Sequence, residues 1–325
     1  MTMTPLRRGS AAAAALLGVS LALTACGSDG DDAGASDAAA ETHSVTADNG
    51  TIEVPVHPKR VVTIGGTAQP FIDLGGKPVG VTPYYQPEML PEDQQATFEA
   101  ATDIGSDEID IEKVASLKPD LILFQDADTS YDKIGKQLEA IAPTVFWGLD
   151  TEWKTMADSI ADAGDVTAEL DQQKKEFEDS VTGIQTKYAD VIKDDSFVDV
   201  SVGSWQDPGM FYIADIGCSE VGRDDVGLNL PEAAAGADPL AYTDLPFEQL
   251  SSLSKYDVIT YPVDEDGKPT EAFAPVLETN TWKALPAVKA GRAVGLFCPG
   301  NGSYGQVNRY LASLDSALAT LPAQG

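Results

Sequence analysis

Short apolar runs alternate with segments of helical spacing along the chain from residue 45 onward. The apolar runs lie at 60–64, 79–81, 121–124 and 143–147 in the first half, and at 197–202, 258–261 and 293–297 in the second. Helical patterns fall between the early runs, at 69–74 and 111–117, and another closes the chain at 306–321. Strands that alternate with helices are typical of a mainly parallel sheet, so this pattern predicts an α/β fold.

The segment 151–193 has a different pattern. From Trp153 to Lys193 it contains no Pro and only two Gly, and apolar residues recur at helical spacing among many charges. We interpret it as one long helix, or two abutting helices, between an N-terminal lobe at 45–150 and a C-terminal lobe at 194–325. The predicted fold is therefore two Rossmann-like α/β lobes with mainly parallel sheets, joined by a long interlobe helix.

A faint internal repeat relates the two predicted lobes. The sequence IEKVASL at 111–117 and the sequence FEQLSSL at 247–253 each precede a strand. In both, the apolar positions face the sheet, while Glu112 and Glu248 lie off that stripe in the first turn, where the helix dipole favours an acidic residue. Glu is common at helix starts, but the matched pair predicts that the two lobes contain equivalent elements.

The N-terminus has the pattern of an export signal. Residues 1–25 contain no acidic residue, Arg7 and Arg8 precede an apolar run at 11–23, and the run ends in Leu-Thr-Ala-Cys26. That run is shorter than the roughly 20 residues that a membrane span needs. Its ending resembles the bacterial lipobox, in which the Cys is acylated; an ordinary signal peptide with a chance Cys is the alternative. We predict a signal peptide at 1–25, lipidation at Cys26 and a flexible tether at 26–44.

Charge and composition exclude several classes of function. The chain of 325 residues has 21 Lys+Arg against 52 Asp+Glu, a formal charge of −31, which disfavours nucleic acid and anionic lipid as partners of the protein body. Two His leave little material for a His-based metal site or catalytic triad. With Cys26 lipidated, Cys218 and Cys298 remain as an even pair in an exported chain, and we expect a disulfide between them rather than two buried thiols.

Taken in order, several blocks of the sequence resemble the substrate-binding lipoproteins of the iron-siderophore/vitamin B12 class of ABC importers. In the N-terminal lobe the blocks are RVV at 60–62, LGGKPVGV at 74–81, IEKV at 111–114, LKPDLI at 117–122 and IAPTV at 141–145. The C-terminal lobe matches more loosely, at 247–259 and 282–294. Each block alone is weakly specific, whereas their order behind a lipobox is specific.

The resemblance implies a fold and a set of partners. The two lobes would be joined by one rigid helix and would move little when a ferric siderophore binds between them. The protein would be a monomer at the extracytoplasmic face of the cell membrane, held there by its lipid anchor alone. It would need no cofactor, because the iron is carried within the siderophore, and it would not be an enzyme. Glu112 and Glu248 would dock onto Arg pockets of the permease dimer, which works with its ATPase.

The ligand site is expected at the carboxyl ends of strands between the lobes. The polar and aromatic candidates are Thr67, Gln69, Tyr84, Tyr85, Gln125 and Trp147 in the N-terminal lobe, and Trp205, Tyr212, Arg223 and Tyr304 in the C-terminal lobe. For any one aromatic residue, core packing is an equal alternative, and Arg223 has the alternative of a surface ion pair. The body has only four Arg, which favours a hydroxamate or mixed-ligand siderophore over a highly anionic ferric tris-catecholate.

Two other ligands and two other classes of function are the alternatives. Haem would need an axial His or Tyr, and cobalamin would need aromatic walls without a required charge. An enzyme is unsupported, since the Gly-rich segment at 300–305 is not a nucleophile elbow and no His could activate Ser303. A surface lipoprotein without a transport role would predict neither the paired Glu residues nor a cleft.

Overall fold

Two five-stranded sheets, one in each half of the chain, organise this computed structural model. The structure describes residues 41–83, 90–106, 108–203, 208–215, 217–231 and 244–322. The predicted signal peptide at 1–25 and the lipidation site Cys26 lie outside the described residues. Residues 40–325 form one compact unit, so both sheets belong to it. No helix among the described residues is both long enough and apolar enough to cross a membrane.

A β-hairpin precedes the first sheet. Strand β1 (Thr42–Ala47) pairs antiparallel with β2 (Gly50–Pro55). Val45 and Val54 are buried and join the hydrophobic core of the N-terminal half. The predicted tether at 26–44 is therefore too long, because residues 42–44 already belong to β1. A single buried Val anchors each strand, so the hairpin contains no apolar run that would have marked it.

The N-terminal sheet is parallel throughout. Its strands are β3 (Val61–Gly65), β4 (Gly80–Val81), β5 (Thr102–Asp103), β6 (Leu121–Gln125) and β7 (Thr144–Trp147). They lie in the order β5-β4-β3-β6-β7. The central strands β3 and β6 are buried along almost their whole length, as continuous apolar strands are when helices cover both faces of a parallel sheet.

Among the described residues, four helices connect these strands. They are α1 (Ala68–Asp73), α2 (Glu92–Ala100), α3 (Ile111–Ser116) and α4 (Asp128–Glu139). Helix α3 begins at an N-cap, where the Asp110 carboxylate accepts a hydrogen bond from the Lys113 N–H at 2.9 Å. The predicted strands at 60–64, 79–81, 121–124 and 143–147, and the helices at 69–74 and 111–117, agree with these elements to within a residue or two.

The segment between the lobes contains three helices, so the prediction of one long helix, or of two abutting helices, over 151–193 is wrong. The helices are α5 (Trp153–Gly164), α6 (Leu170–Lys187) and α7 (Ala189–Asp194). Helix α5 ends where Asp165 adopts a left-handed conformation with φ 54° and ψ 45°. Asp is one of the few residues other than Gly that tolerate this conformation. Helix α6 ends at Tyr188, whose φ of −118° is not helical.

The C-terminal sheet is mixed. Its strands are β8 (Phe197–Ser201), β9 (Met210–Ala214), β10 (Asp244–Pro246), β11 (Val258–Pro262) and β12 (Ala293–Leu296). Strand β11 pairs in parallel with β8 and β12, whereas β9 pairs antiparallel with β8 and β10. Most strand pairings in the described residues are therefore parallel, and the predicted two-lobed α/β fold is confirmed.

The remaining helices pack around this second sheet. They are α8 (Cys218–Val221), a π-helical turn (Gly222–Val226), a 3-10 helix (Phe247–Lys255), α9 (Ala274–Glu278), α10 (Asn280–Ala284), α11 (Pro286–Lys289) and α12 (Tyr304–Ala319). Helix α12 contributes the long apolar face predicted at 306–321. Val307, Leu311 and Leu314 on that face are fully buried.

The two sheets have equivalent strand orders, as the internal repeat predicted. The order β10-β9-β8-β11-β12 matches β5-β4-β3-β6-β7 strand for strand. Helix α3 leads into β6, and the 3-10 helix leads into the corresponding strand β11. Val114 and Leu250 are fully buried in these two helices, whereas Glu112 and Glu248 are exposed in their first turns.

Helix α5 joins the hydrophobic cores of the two halves. Met156 and Ile160 pack in the core of the N-terminal sheet. Ala157 and Ala161 belong instead to a core that includes Phe197 of the second sheet together with residues of α6 and α12. Because one helix is buried on both sides, the two lobes are fixed to a common element.

Candidate functional site

A cleft of about 410 Å³ lies between the two lobes. From the N-terminal lobe and α5, the cleft is lined by residues that follow β3, β6 and β7: Gly66, Gln69, Gln125, Leu149, Asp150, Thr151, Glu152, Trp153 and Met156. From the C-terminal lobe it is lined by Gly217, Glu220, Gly300, Asn301, Gly302 and Gln306. Strand ends that meet in a crevice are the usual ligand site of α/β folds, so the expected location of the site agrees with this cleft.

A pair of glutamines crosses the base of the cleft. The Gln306 side-chain amide in α12 donates to the Gln69 Oε1 in α1 at 2.5 Å and to the Pro299 carbonyl oxygen at 2.9 Å. The Gln306 Oε1 accepts from the Gly302 N–H at 3.0 Å. Gln69 is only 1% exposed, and its Nε2 has no hydrogen-bond partner among the described residues. The base therefore holds an unused N–H donor in a fixed position.

A second polar contact between the lobes lies beside the glutamines. The Ser303 hydroxyl caps α12 by accepting from the Gln306 N–H at 3.1 Å, and it donates to the buried carboxylate of Asp73. Burial raises the pKa of Asp73, and the Ser303 hydrogen bond partly offsets that rise. Gln173 of α6 donates to the Asp73 carbonyl oxygen at 3.0 Å. This network fixes the start of α12 against the N-terminal lobe.

The glycine pair after β3 places Gln125 at the cleft. Gly65 has a φ of 65°, and a Cβ atom at this position would overlap the Gln125 carbonyl oxygen. Only Gly therefore fits where the ends of β3 and β6 approach each other. The neighbouring Gly66 N–H reaches the same carbonyl oxygen at 3.4 Å.

A disulfide supports the C-terminal wall of the cleft. Cys218, the first residue of α8, is bonded to Cys298 in the loop after β12, with their Cα atoms 5.9 Å apart. Glu220 lies in the helix that begins at Cys218, and the Asn301 side chain donates to its Oε2 at 3.4 Å. The disulfide thus joins the two chain segments that present these polar groups.

Two carboxylates of the cleft interact electrostatically. Burial raises the pKa of Glu220, which is half-buried, and the negative charges of Asp224, Glu152 and Asp225 raise it further, whereas Arg223 lowers it. Glu152 comes from the segment between the lobes, where it caps α5 by accepting hydrogen bonds from the N–H of Thr155 at 2.8 Å and its hydroxyl at 3.0 Å. The two walls therefore present negative charge to the same space.

An aromatic cluster lies behind Trp153. The rings of Trp153, Phe177 and Tyr304 pack edge to face, with centroids 5.0 to 5.8 Å apart. They come from α5, α6 and α12, so the cluster joins three helices. Burial and nearby carboxylates raise the pKa of Tyr304 to about 12, so its hydroxyl stays protonated.

Of the seven predicted ligand residues that the structure describes, two line the cleft, Gln69 and Gln125. Thr67 is fully buried, and its hydroxyl donates to the Leu123 carbonyl oxygen at 3.0 Å, so it fixes the turn after β3. Trp147 lies in the N-terminal hydrophobic core, and Tyr304 belongs to the aromatic cluster; for both, the structure favours the alternative of core packing.

The two other candidates that the structure describes lie outside the cleft lining. Arg223 forms an ion pair with Asp224 at 2.8 Å and donates to the Asp215 carbonyl oxygen at 3.0 Å, so its guanidinium holds its own loop together. Tyr212 is half-buried in β9, opposite Ser201 and outside the cleft lining. Three further candidates, Tyr84, Tyr85 and Trp205, lie outside the described residues.

Sequence reasoning missed most of the charged and amide groups of the cleft. Glu152 and Glu220 gave no signal among 52 acidic residues. Asn301 belongs to the Gly-rich segment at 300–305, and Gln306 follows it. From the sequence, this segment was considered only as a catalytic loop. The N-cap position of Ser303, three residues before Gln306, was the available signal, because it fixes where α12 begins.

A second groove, of about 680 Å³, lies beside the edge strand β12 under α12, within the C-terminal lobe. Its lining includes Asp264, Glu265, Asp266 and Arg309. None of its lining residues also lines the cleft between the lobes. Within the described part of the chain, no group of three or more His, Cys, Asp or Glu residues is arranged to hold a metal ion.

The fold and the cleft define a two-lobed ligand-binding protein. The chain belongs to the periplasmic binding protein family, whose profile matches residues 61–296. It is 29% identical over 295 residues to the iron(3+)-hydroxamate-binding protein FhuD of Bacillus subtilis (strain 168), covering 83% of this chain and 84% of that protein. The family resemblance drawn from the sequence is thereby confirmed.

Two further comparisons give the same result. The chain is 28% identical over 298 residues to the uncharacterized ABC transporter substrate-binding lipoprotein YvrC of the same organism, covering 86% of this chain and 87% of that protein. Among solved structures, it is similar to the siderophore periplasmic binding protein from the fuscachelin gene cluster of Thermobifida fusca. That match has a TM-score of 0.69 and 26% identity, and it covers 82% of this chain and 99% of that one.

Proposed function

We propose that this protein captures a ferric siderophore between its lobes and delivers it to an ABC importer. The observation that carries the proposal is the cleft at the strand ends, in a chain of the periplasmic binding protein family. The names of FhuD and of the Thermobifida fusca protein, which refer to iron hydroxamate and to a siderophore, support this ligand class. The iron would enter as part of the ligand, with no resident cofactor.

The lining of the cleft favours a hydroxamate or mixed-ligand siderophore. No Lys, Arg or His lines the cleft among the described residues, whereas Asp150, Glu152 and Glu220 do. A ferric tris-catecholate carries a charge of about −3 and would be repelled there. Three hydroxamates neutralise the charge of Fe³⁺, so their complex would enter without that cost.

The delivery role includes an anchor and a docking surface. Acylation of Cys26 would hold the acidic protein at the extracytoplasmic face of the membrane, and the lipoprotein name of YvrC supports this location. Glu112 and Glu248, exposed on equivalent helices, would dock onto the two permease subunits. The proposed role is binding. His43 lies 3.6 Å from Asp162 and His57 lies 2.6 Å from Asp165, and neither His lines the cleft.

A ligand panel followed by tryptophan fluorescence tests the proposal. The panel contains a ferric trihydroxamate, a ferric tris-catecholate, a mixed-ligand ferric siderophore, haem and cobalamin, with each siderophore also tested free of iron. We expect saturable quenching by the ferric trihydroxamate or the mixed-ligand complex. Because Trp153 lines the cleft, Trp153→Phe should remove much of the signal. Trp282→Phe is the matched control, since Trp282 packs in the core of the C-terminal sheet.

Calorimetric titration of the same ligands gives an independent measure of binding. Saturable binding of haem or cobalamin, without binding of any ferric siderophore, would show that the protein serves another ligand class of the same importers. Absence of binding to every ferric siderophore in the panel would contradict the proposal.

A further inference from the structure

The charges of the cleft are one-sided. Three carboxylates line it, from Asp150, Glu152 and Glu220, and no cationic side chain does so among the described residues. The segments outside the described ranges, at 84–89, 107, 204–207, 216, 232–243 and 323–325, contain no Lys, Arg or His in the sequence. Every cation of the chain after residue 40 therefore lies within the described residues and outside this lining.

The nearest basic groups on the adjoining elements are already used. Lys154 follows the cleft residue Trp153, but its Nζ pairs with the Asp225 carboxylate at 2.5 Å. Arg223 is paired with Asp224 and holds backbone carbonyl oxygens of its own loop. The cleft carboxylates thus have no cationic side chain beside them that is not engaged with another partner.

Glu152 and Glu220 are placed on opposite walls of the cleft. Glu152 is fixed at the start of α5 by its capping hydrogen bonds to Thr155. Glu220 is half-buried in α8, next to the disulfide, and accepts a long hydrogen bond from Asn301, at 3.4 Å. Burial is the main cause of the raised pKa of Glu220; the negative charge of Glu152 adds to it, and Arg223 lowers this pKa by more than Glu152 raises it.

A neutral donor completes the arrangement. The buried Nε2 of Gln69 has no hydrogen-bond partner among the described residues. The Oε1 of the same side-chain amide accepts a hydrogen bond from Gln306. A buried donor without a partner costs free energy that a ligand oxygen can recover. The site therefore offers one donor at its base and negative charge on its walls.

We propose that Glu152 and Glu220 form a cation subsite, which binds a protonated amine or guanidinium group carried by the ferric siderophore. Gln69 would donate to an oxygen of the same complex. This inference rests on the proposed function and specifies its ligand: a ferric hydroxamate complex that is cationic rather than neutral. The physical reason is that closing a ligand over two carboxylates removes water from them, and a cation of the ligand compensates for that loss.

Two ligands that differ in one charge test the subsite. The first is a linear ferric trihydroxamate with a terminal primary amine, and the second is the same complex with that amine acetylated. Calorimetric titration of the full chain should give a dissociation constant about tenfold higher for the acetylated complex, the size expected for one hydrogen-bonded charge pair. Raising the salt concentration should reduce this ratio, because Glu152 is exposed, but only partly, because Glu220 is half-buried.

Variants of the two carboxylates locate the effect. In the double variant Glu152→Gln with Glu220→Gln, the two complexes should bind with equal affinity, while the acetylated complex binds at least as tightly as before. The amide oxygen that the substitution introduces at position 152 can still cap α5, so the fold is expected to persist. Glu271→Gln is the matched control, because Glu271 is exposed and outside the cleft lining, and it should keep the wild-type ratio.

The outcomes separate this inference from the proposed function. Equal affinities for the two complexes in the wild-type protein would overturn the cation subsite and leave siderophore binding intact. A preference for the amine complex that persists in the double variant would also overturn it, since other residues would then recognise the ammonium group of the ligand. Failure of both complexes to bind, with no binding of any other ferric siderophore, would contradict the proposed function itself.

Discussion

Asp199 in β8 links the stability of the protein to pH. Burial raises its pKa from an ordinary value of 3.8 to about 6, although the Ser219 hydroxyl donates to its Oδ2 at 2.6 Å. The folded protein therefore binds this proton more tightly than the unfolded chain does. As the pH rises from about 4 to about 6, folding loses stability, by at most about 3 kcal/mol.

We predict that Asp199→Asn stabilises the protein at pH 7.5 and has little effect at pH 4. The amide oxygen can still accept from Ser219, and no charge has to be buried. Urea unfolding at the two pH values measures the difference.

Asp257→Asn is a control of opposite sign, because hydrogen bonds from Ser196 lower the pKa of Asp257. Its substitution should destabilise the protein at pH 7.5. Equal destabilisation by Asp199→Asn at both pH values would contradict the prediction.

Single residues also show where sequence reasoning reaches its limit. The position of a polar residue after a strand was predictable, but the direction of its side chain was not. Thr67 and Gln69 both follow β3, yet the Thr67 hydroxyl turns back to the Leu123 carbonyl oxygen while Gln69 lines the cleft. Hydrogen bonds to distant backbone groups decide between the two directions, and such partners have no local signal.

At the level of elements, the strands were predictable where they are buried on both faces. The first four residues of Leu121–Gln125 form a continuous apolar run because helices cover both sides of its sheet. Met210–Ala214 was missed because this strand is mostly half-buried, and its antiparallel pairing makes the second sheet mixed. The break after α5 was missed because Asp165, and not a Gly, takes the left-handed conformation.

The disulfide is the element whose removal should affect both stability and the cleft. It closes a sequence separation of 80 residues and joins α8 to the loop after β12. We predict that Cys218→Ser with Cys298→Ser lowers the free energy of unfolding by about 2–4 kcal/mol. Ligand affinity should fall as well, because Glu220 and Asn301 lie close to the two cysteines.

Urea unfolding and calorimetric titration, each with and without a thiol reductant, measure these effects. Reductant should bring the wild-type protein to the stability of the double variant and leave the variant unchanged. If the wild-type protein keeps its stability after both sulfurs are shown to be reduced, the disulfide does not stabilise this fold.

In the whole molecule, shared helices and hydrogen bonds connect the two lobes. Helix α5 is buried in both hydrophobic cores, and Trp153, Phe177 and Tyr304 lock α5, α6 and α12 together. The hydrogen bonds of Gln306 to Gln69 and of Ser303 to Asp73 cross between the lobes. We infer that ligand binding changes the separation of the lobes little, even though three helices replace the single helix expected from the sequence.

A fixed spacing gives the two exposed glutamates their proposed use. Glu112 and Glu248 lie in the first turns of equivalent helices, each anchored by a fully buried apolar residue, Val114 or Leu250. Two carboxylates on related lobes match a dimeric permease that presents one cationic pocket in each subunit. Exposed charges of this kind set the register and rate of docking more than they set the affinity.

We predict that Glu112→Ala with Glu248→Ala lowers iron uptake by about tenfold or more, while ligand affinity stays unchanged. Uptake of a radioactive ferric siderophore is measured in the native host, whose own copy is replaced by each variant. Calorimetric titration of the purified variants measures ligand binding. Glu99→Ala with Glu271→Ala is the matched control, since it removes one exposed carboxylate from each half without touching the equivalent helices. Normal uptake by the first pair, or an equal loss in the control pair, would show that docking depends on overall charge or on other residues.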